Sequence, residues 1–193
     1  IIIGMLILAL GANLAALCIL LYPINATAAI SLSFLAYILI GVGVGASGTS
    51  LLALLAAHTI QRRRAAAATI TWLMMIFGIA VTATVVGALL DPYSEQRLIK
   101  IVLALTLLTI IVTIISTFNI ERGLSSATRN IDKSQSFISG LRIIWANSQT
   151  KRFTIFVFLS MTAYFMQELI LEPYAGIVFS FTPGQSTSLS GIQ

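Results

Sequence analysis

Two carboxylates stand four residues apart near the end of an apolar run, Glu168 and Glu172, with Gln167 beside the first. That spacing puts both on one face of a helix. A carboxylate inside hydrocarbon is costly and ordinarily serves an ion path, a polar ligand or a contact between helices. The plainer alternative is that both side chains reach the aqueous interface. Pro173 directly follows Glu172, and a residue before proline disfavours the helical conformation, so the spacing predicts a helix end there. That favours the interface for Glu172 and leaves Glu168 as the stronger functional candidate. Carbonyls released at such a break, with Tyr174 beside them, would be open to a ligand.

His58 is the single histidine. An imidazole can ligate a metal, including the magnesium of a chlorophyll ring, but a lone ring at the end of an apolar run is equally an interfacial residue meeting water or headgroups. Arg62, Arg63 and Arg64 follow it. Their reading is topological first, with phosphate binding as the alternative. Gly43, Gly45 and Gly48 formally match GxGxxG, a pattern that needs a strand before it and a helix after it. Here it lies within an apolar helix, so Gly41 and Gly45, four apart, are read as a small-residue face for a neighbouring helix, with Gly78 and Gly87 in a related role. Asn13 is a polar residue in the first apolar run and is placed to bond across to another helix. Cys18, the single cysteine, is a small packing residue. Asn25-Ala26-Thr27 matches a glycosylation sequon of the kind that recurs by chance. No nucleophile has a histidine near it in sequence and no cysteine–histidine metal pattern occurs, so the chain is expected to be neither an enzyme nor a metal site.

The elements that carry these residues follow from composition. Of 193 residues, 58% are hydrophobic and 9% charged, against about 25% charged in an average soluble domain. So few charges cannot cover a water-exposed surface, and the +5 net charge is read as membrane topology rather than as nucleic-acid binding. A spanning helix needs about 20 apolar residues. Five segments qualify: Ile1 to Tyr22, Ala28 to Ile60, Ala66 to Leu90, Leu98 to Phe118, and Phe153 to Leu171. A sixth is expected to begin after Ser188. Lipid offers no partners to open strand edges, which leaves an all-α polytopic membrane helix bundle. A chain that opens on Ile1-Ile2-Ile3, without a charged leader, reads as part of something longer.

If the five spans alternate, nine of the 11 basic residues share one side: the arginine triplet and Arg122, Arg129, Lys133, Arg142, Lys151 and Arg152. Arg97 and Lys100 lie opposite. The excess of arginine and lysine assigns the richer side to the cytoplasm. Within the 120–152 loop, Phe137, Leu141, Ile144, Trp145 and Ser148 fall at helical spacing, predicting a short amphipathic helix over 136–149, lying on the membrane surface or docked on other protein.

The run Gln167-Glu168-Leu169-Ile170-Leu171-Glu172-Pro173-Tyr174-Ala175-Gly176, continued by Val178-Phe179, Pro183-Gly184 and Ser186-Thr187, resembles a Leu-Glu-Pro-Tyr-Gly signature of the PucC-type bacteriochlorophyll-delivery proteins, a branch of the major facilitator superfamily. Trp72-Leu73-Met74-Met75-Ile76-Phe77-Gly78 and Gly87-Ala88-Leu89-Leu90-Asp91 are similar to the same family, and Ala175 departs from its glycine. The resemblance covers most of residues 60–193. Members have twelve helices in two halves, which implies that 1–119 carries four spans of the first half, 120–152 the central cytoplasmic loop, and 153–193 the first span of the second half with an outer loop. The remaining helices of the full-length protein would then be partners of these.

The resemblance further implies assembly of light-harvesting or photosystem complexes, by handling or delivering chlorophyll or bacteriochlorophyll. The bilayer and subunits of those complexes are the expected partners. The composition leans towards a thylakoid membrane, with a bacterial inner or intracytoplasmic membrane as the alternative. Two other functions compete: a secondary transporter of a small amphiphile or ion, and a structural subunit of a photosynthetic complex. The spans hold no Asp, Lys or Arg near their centres, which weakens proton-coupled transport.

Overall fold

A computed structural model of the chain describes residues 1–118, 142 and 145–191, the side chain of Glu168 excepted. Its helices are α1 (Ile2–Leu21), α2 (Ala26–His58), a single 3-10 turn (Gln61–Arg63), α3 (Arg64–Leu90), α4 (Glu95–Thr117), α5 (Ser148–Phe179) and α6 (Pro183–Ser190). Among the described residues there is no strand. Five helices, α1 to α5 with the 3-10 turn joined to α3, are long and apolar enough to cross a membrane. The chain is a polytopic helical membrane protein, as its composition requires. Residues 1–118 and 181–193 form one compact unit and residues 119–180 a second.

In the first unit α1 and α2 form a hairpin through a short turn. Asn25 caps α2, its side chain accepting from the Ala28 amide at 3.1 Å. The two helices meet through small residues: Gly4, Ala9, Gly11, Ala16 and Cys18 on α1, and Ala29, Ala36 and Gly43 on α2, are all buried. Lipid tails are as apolar as leucine, so helix pairing relies on close van der Waals contact, which small residues permit. A methyl group on Gly43 would stand 2.5 Å from the Leu8 amide nitrogen, and one on Gly11 2.8 Å from the Ala36 carbonyl. Helix α2 has 33 residues, about 50 Å at ~1.5 Å per residue, which exceeds the ~30 Å hydrocarbon thickness.

Helix α4 packs on α1 around a polar contact. The Asn13 amide donates to Thr106 Oγ1 at 3.0 Å and to the Ala9 carbonyl at 2.8 Å, so the asparagine does bond across to another helix. Helix α3 makes its main contact with α6 and only light contacts with α2 and α4. Serines and threonines along the spans return their hydroxyls to the preceding turn, as in Ser33 to Ala29 and Thr113 to Thr109. This satisfies them where no water is present.

Three expectations need correction. The fifth span does not stop before Pro173. Helix α5 runs through it to Phe179 and ends where Ser180 adopts a left-handed conformation, φ 55°, its amide bonding the Ala175 carbonyl. A proline inside a helix removes one amide donor, and membrane helices tolerate that where local adjustment re-satisfies the freed carbonyl. The helix also starts early, at Ser148, because Asn147 accepts from the amides of Gln149 and Thr150. Second, residues 183–187 are not loop. They open α6, where Thr182 and Gln185 form a reciprocal capping box with Pro183 in the first turn. Third, the packing glycine of the Gly41–Gly48 run is Gly43. Gly41 and Gly45, with Gly48, face open space within this chain, because two residues of offset from Gly43 rotate a helix face by about 200°. The amphipathic helix over 136–149 falls largely outside the described residues. Arg142, Trp145 and Ala146 are helical there, but Asn147 is extended.

The α1–α2 interface gives a direct test. Gly43→Ala should destabilise the protein by about 1–3 kcal/mol, the usual range for overpacking, whereas Gly45→Ala should leave it unchanged or stabilise it by up to about 1 kcal/mol, because alanine is the better helix former. Unfolding midpoints in mixed detergent micelles check this, and equal midpoints for the two variants would contradict the packing.

Candidate functional site

The anticipated cluster lies on α5, within the second unit. Gln167, Glu172, Pro173 and Tyr174 are all exposed on this helix, and Glu168 occupies its backbone between them. Because the helix is continuous through Pro173, no carbonyls are released there by a helix end; proline lacks an amide hydrogen, so the carbonyl left without its helical donor is that of Leu169. The Tyr174 ring meets Phe179 edge-on, with centroids 6.1 Å apart and planes at 75°. At the other end of α5, Lys151 lies 5.9 Å from the centre of the Trp145 ring, a cation–π contact, and Arg152 is exposed.

In the first unit His58 is the last residue of α2 and is exposed, followed by exposed Arg62, Arg63 and Arg64 around the 3-10 turn. Arg64 Nε donates to the Thr59 carbonyl at 3.4 Å. A cluster of exposed positive charge thus sits at the start of α3. Gly78 faces open space within the chain, while Gly87 is buried against α6.

Sequence reasoning missed the junction of α3 with α6. Gly87 packs on the Ser188 hydroxyl, and a methyl group there would stand 2.6 Å from the Gly184 carbonyl. Gly184 in turn lies against Gly87 and the Asp91 carboxylate, and Gly191 against Ala80, Ala83 and Thr84. Rising numbers on α6 meet falling numbers on α3, so the two helices are antiparallel. Asp91 Oδ2 accepts from Thr182 Oγ1 at 3.1 Å, tying the cap of α6 to the end of α3. Arg97 Nη1 donates to the carbonyls of Asp91 and Pro92 at 2.9 and 3.0 Å and braces the turn into α4. The readable signal is Gly87 together with Gly184 and Ser188, the last two four apart, but the sequence pattern of 183–187 predicts loop rather than helix.

Two open cavities also belong to the first unit. One, of about 730 Å³, lies among α1, α2 and α4 and is lined by Ala12, Ala15, Cys18, Tyr22, Tyr37 and Glu95 among others. The second, of about 710 Å³, runs between α3 and α4 and has Asp91, Arg97 and Lys100 at its polar end.

Thr182→Val keeps the side-chain volume but removes both the cap and the bond to Asp91. It should cost α6 about 1 kcal/mol of local stability, read as faster hydrogen exchange of the 184–190 amides. Unchanged exchange there would show that the Asp91–Thr182 bond does not hold the junction.

Comparison with known proteins completes the description. The family described as PUCC protein matches residues 1–193. The bacteriochlorophyll synthase 44.5 kDa chain of Rhodobacter capsulatus is 58% identical over 193 residues, 100% of this chain and 45% of that protein. An uncharacterized protein in the puhA-bchM intergenic region of Rhodobacter capsulatus is 29% identical over 157 residues, 80% of this chain and 33% of that one. Protein PucC of the same organism is 24% identical over 164 residues, 84% and 36% of the two chains. The chain therefore spans less than half the length of these relatives. No solved structure matches it. The family match covers the residues whose Glu-Pro-Tyr run first suggested it, together with the four helices before them, and the chain belongs to the PUCC protein family.

Proposed function

We propose that this chain is part of a membrane protein that assists light-harvesting or photosystem assembly by handling or delivering bacteriochlorophyll, without catalysing a reaction itself. The observation that carries the link to bacteriochlorophyll is 58% identity, along the whole chain, to a protein named as a bacteriochlorophyll synthase chain. Relatives from Rhodobacter capsulatus and Cereibacter sphaeroides favour a bacterial inner or intracytoplasmic membrane over a thylakoid. The basic residues at the His58 end of α3 then face the cytoplasm by the positive-inside rule. A major-facilitator arrangement, in which this chain contributes the middle helices of a twelve-helix protein, is part of the same proposal.

The surface suits a planar, apolar cargo. Helix α5 carries seven of the chain's 17 aromatic residues, and Phe153, Phe156, Phe158 and Phe165 are each at least 60% exposed. Exposed rings offer stacking surface to a macrocycle. The imidazole of His58 is exposed and would be the axial ligand to a pigment's magnesium. Subunits of an antenna or photosystem complex are the partners this reading requires. A transporter of a small amphiphile remains the second reading, carried by the two open cavities of the first unit.

Glu168 supplies the test. Glu168→Gln is isosteric and removes the charge. If the carboxylate binds or gates, a strain carrying it in the full-length protein should assemble several-fold less antenna complex at unchanged protein abundance, measured by near-infrared absorption and quantitative blot. Normal antenna levels would count against a functional carboxylate, and loss of the protein itself would assign Glu168 a structural role.

A further inference from the structure

The groove between α3 and α4 combines an apolar wall with a cationic end, and it includes neither His58 nor any residue of α5. Its sides are formed by Val85, Leu89, Ala104, Leu105 and Leu108, and its mouth by Asp91, Arg97 and Lys100. Lys100 is the third residue after Arg97, so the two share a face of α4. They are also the two basic residues expected on the side opposite the arginine triplet, where the charge rule disfavours cations.

The acid in the mouth forms no ion pair with either of them among the described residues. Asp91 gives its carboxylate to Thr182 and lies over Gly184. Arg97 spends Nη1 on two backbone carbonyls, leaving its Nη2 and Nε donors without partners among the described residues. Lys100 is exposed and makes no hydrogen bond or ion pair among the described residues. Glu95, the other nearby acid, lines the separate cavity of α1, α2 and α4. With Asp91 counted, the mouth carries a net charge of +1, and this cationic end above an apolar groove complements an anionic headgroup attached to an acyl chain. The groove is lined by no aromatic ring and no histidine, so it lacks both a stacking platform and an axial ligand for a pigment.

We infer that the α3–α4 groove is a binding site for an anionic phospholipid, its phosphate held by Lys100 and Arg97 and one acyl chain laid against Val85, Leu89 and Leu105. The bound lipid would fill the gap left by the light contact between these two helices.

The experiment uses the full-length protein in mild detergent, equilibrated with micelles containing equal phosphatidylglycerol and phosphatidylcholine, with retained lipid measured by native mass spectrometry. Wild type should retain phosphatidylglycerol preferentially. Lys100→Gln breaks no hydrogen bond or ion pair among the described residues and should lower that preference about fivefold, the equivalent of one interfacial cation. Arg62→Gln, at the other end of α3, should leave it unchanged. The acyl position is tested with Leu105→Trp, whose fluorescence should be quenched by phosphatidylglycerol brominated on its chains. Equal retention of the two lipids, or an unchanged preference in Lys100→Gln, would overturn the headgroup site. Absence of quenching would show that another helix of the longer protein covers the groove, and would overturn it equally.

Discussion

Hydrocarbon offers no hydrogen-bond partner, and nearly every feature of this chain answers that constraint. The backbone satisfies itself as helix. The hydroxyls that make the spans look partly polar are turned back to carbonyls one turn earlier, as at Ser47, Thr71 and Thr162. The groups that cannot be satisfied locally become the ties between helices. Asn13 reaches Thr106 to join α1 to α4, and Asp91 takes the Thr182 hydroxyl to join α3 to α6. Individually such bonds contribute modestly, on average about 0.6 kcal/mol in a membrane. Their effect is on register, because each fixes which residues of two smooth apolar helices face one another.

The second consequence is that packing inside the first unit relies on absence of side chain. Ala36 and Ala29 are essentially inaccessible, while leucines and isoleucines such as Leu10, Leu52 and Ile115 point outward. This inverts the order of a soluble core, where large apolar residues are inside. It follows directly from a solvent that is itself apolar: large side chains gain little by leaving lipid, and small ones let backbones approach.

The spans were legible in the sequence because length and hydropathy alone decide them. Four of the five helix starts and ends fall within a few residues of expectation, and the cross-helix role of Asn13 followed from its isolation among apolar neighbours. The far end of α5 was not legible, since Pro173 signals a break in water and is absorbed in a membrane helix. Neither was the face of the glycine run: Gly41, Gly43 and Gly45 are equivalent as a pattern, and only the position of Leu8 selects Gly43. The α3–α6 junction depends on two segments about 100 residues apart whose pairing no local signal encodes. Of the candidate site, the family signature on α5 was readable residue by residue, whereas the cationic mouth of the α3–α4 groove required knowing that Asp91 is already engaged.

Pigment handling is the central claim, and it concerns cargo rather than fold. The most direct measurement is the absorption spectrum of the full-length protein purified in mild detergent from a pigment-synthesising strain, with the composition of the preparation determined alongside. The account predicts bacteriochlorophyll absorption at a fixed ratio to protein without stoichiometric photosystem subunits. A colourless preparation under conditions that retain pigment in antenna complexes would contradict it, and pigment accompanied by stoichiometric subunits would instead make the protein a component of the complex.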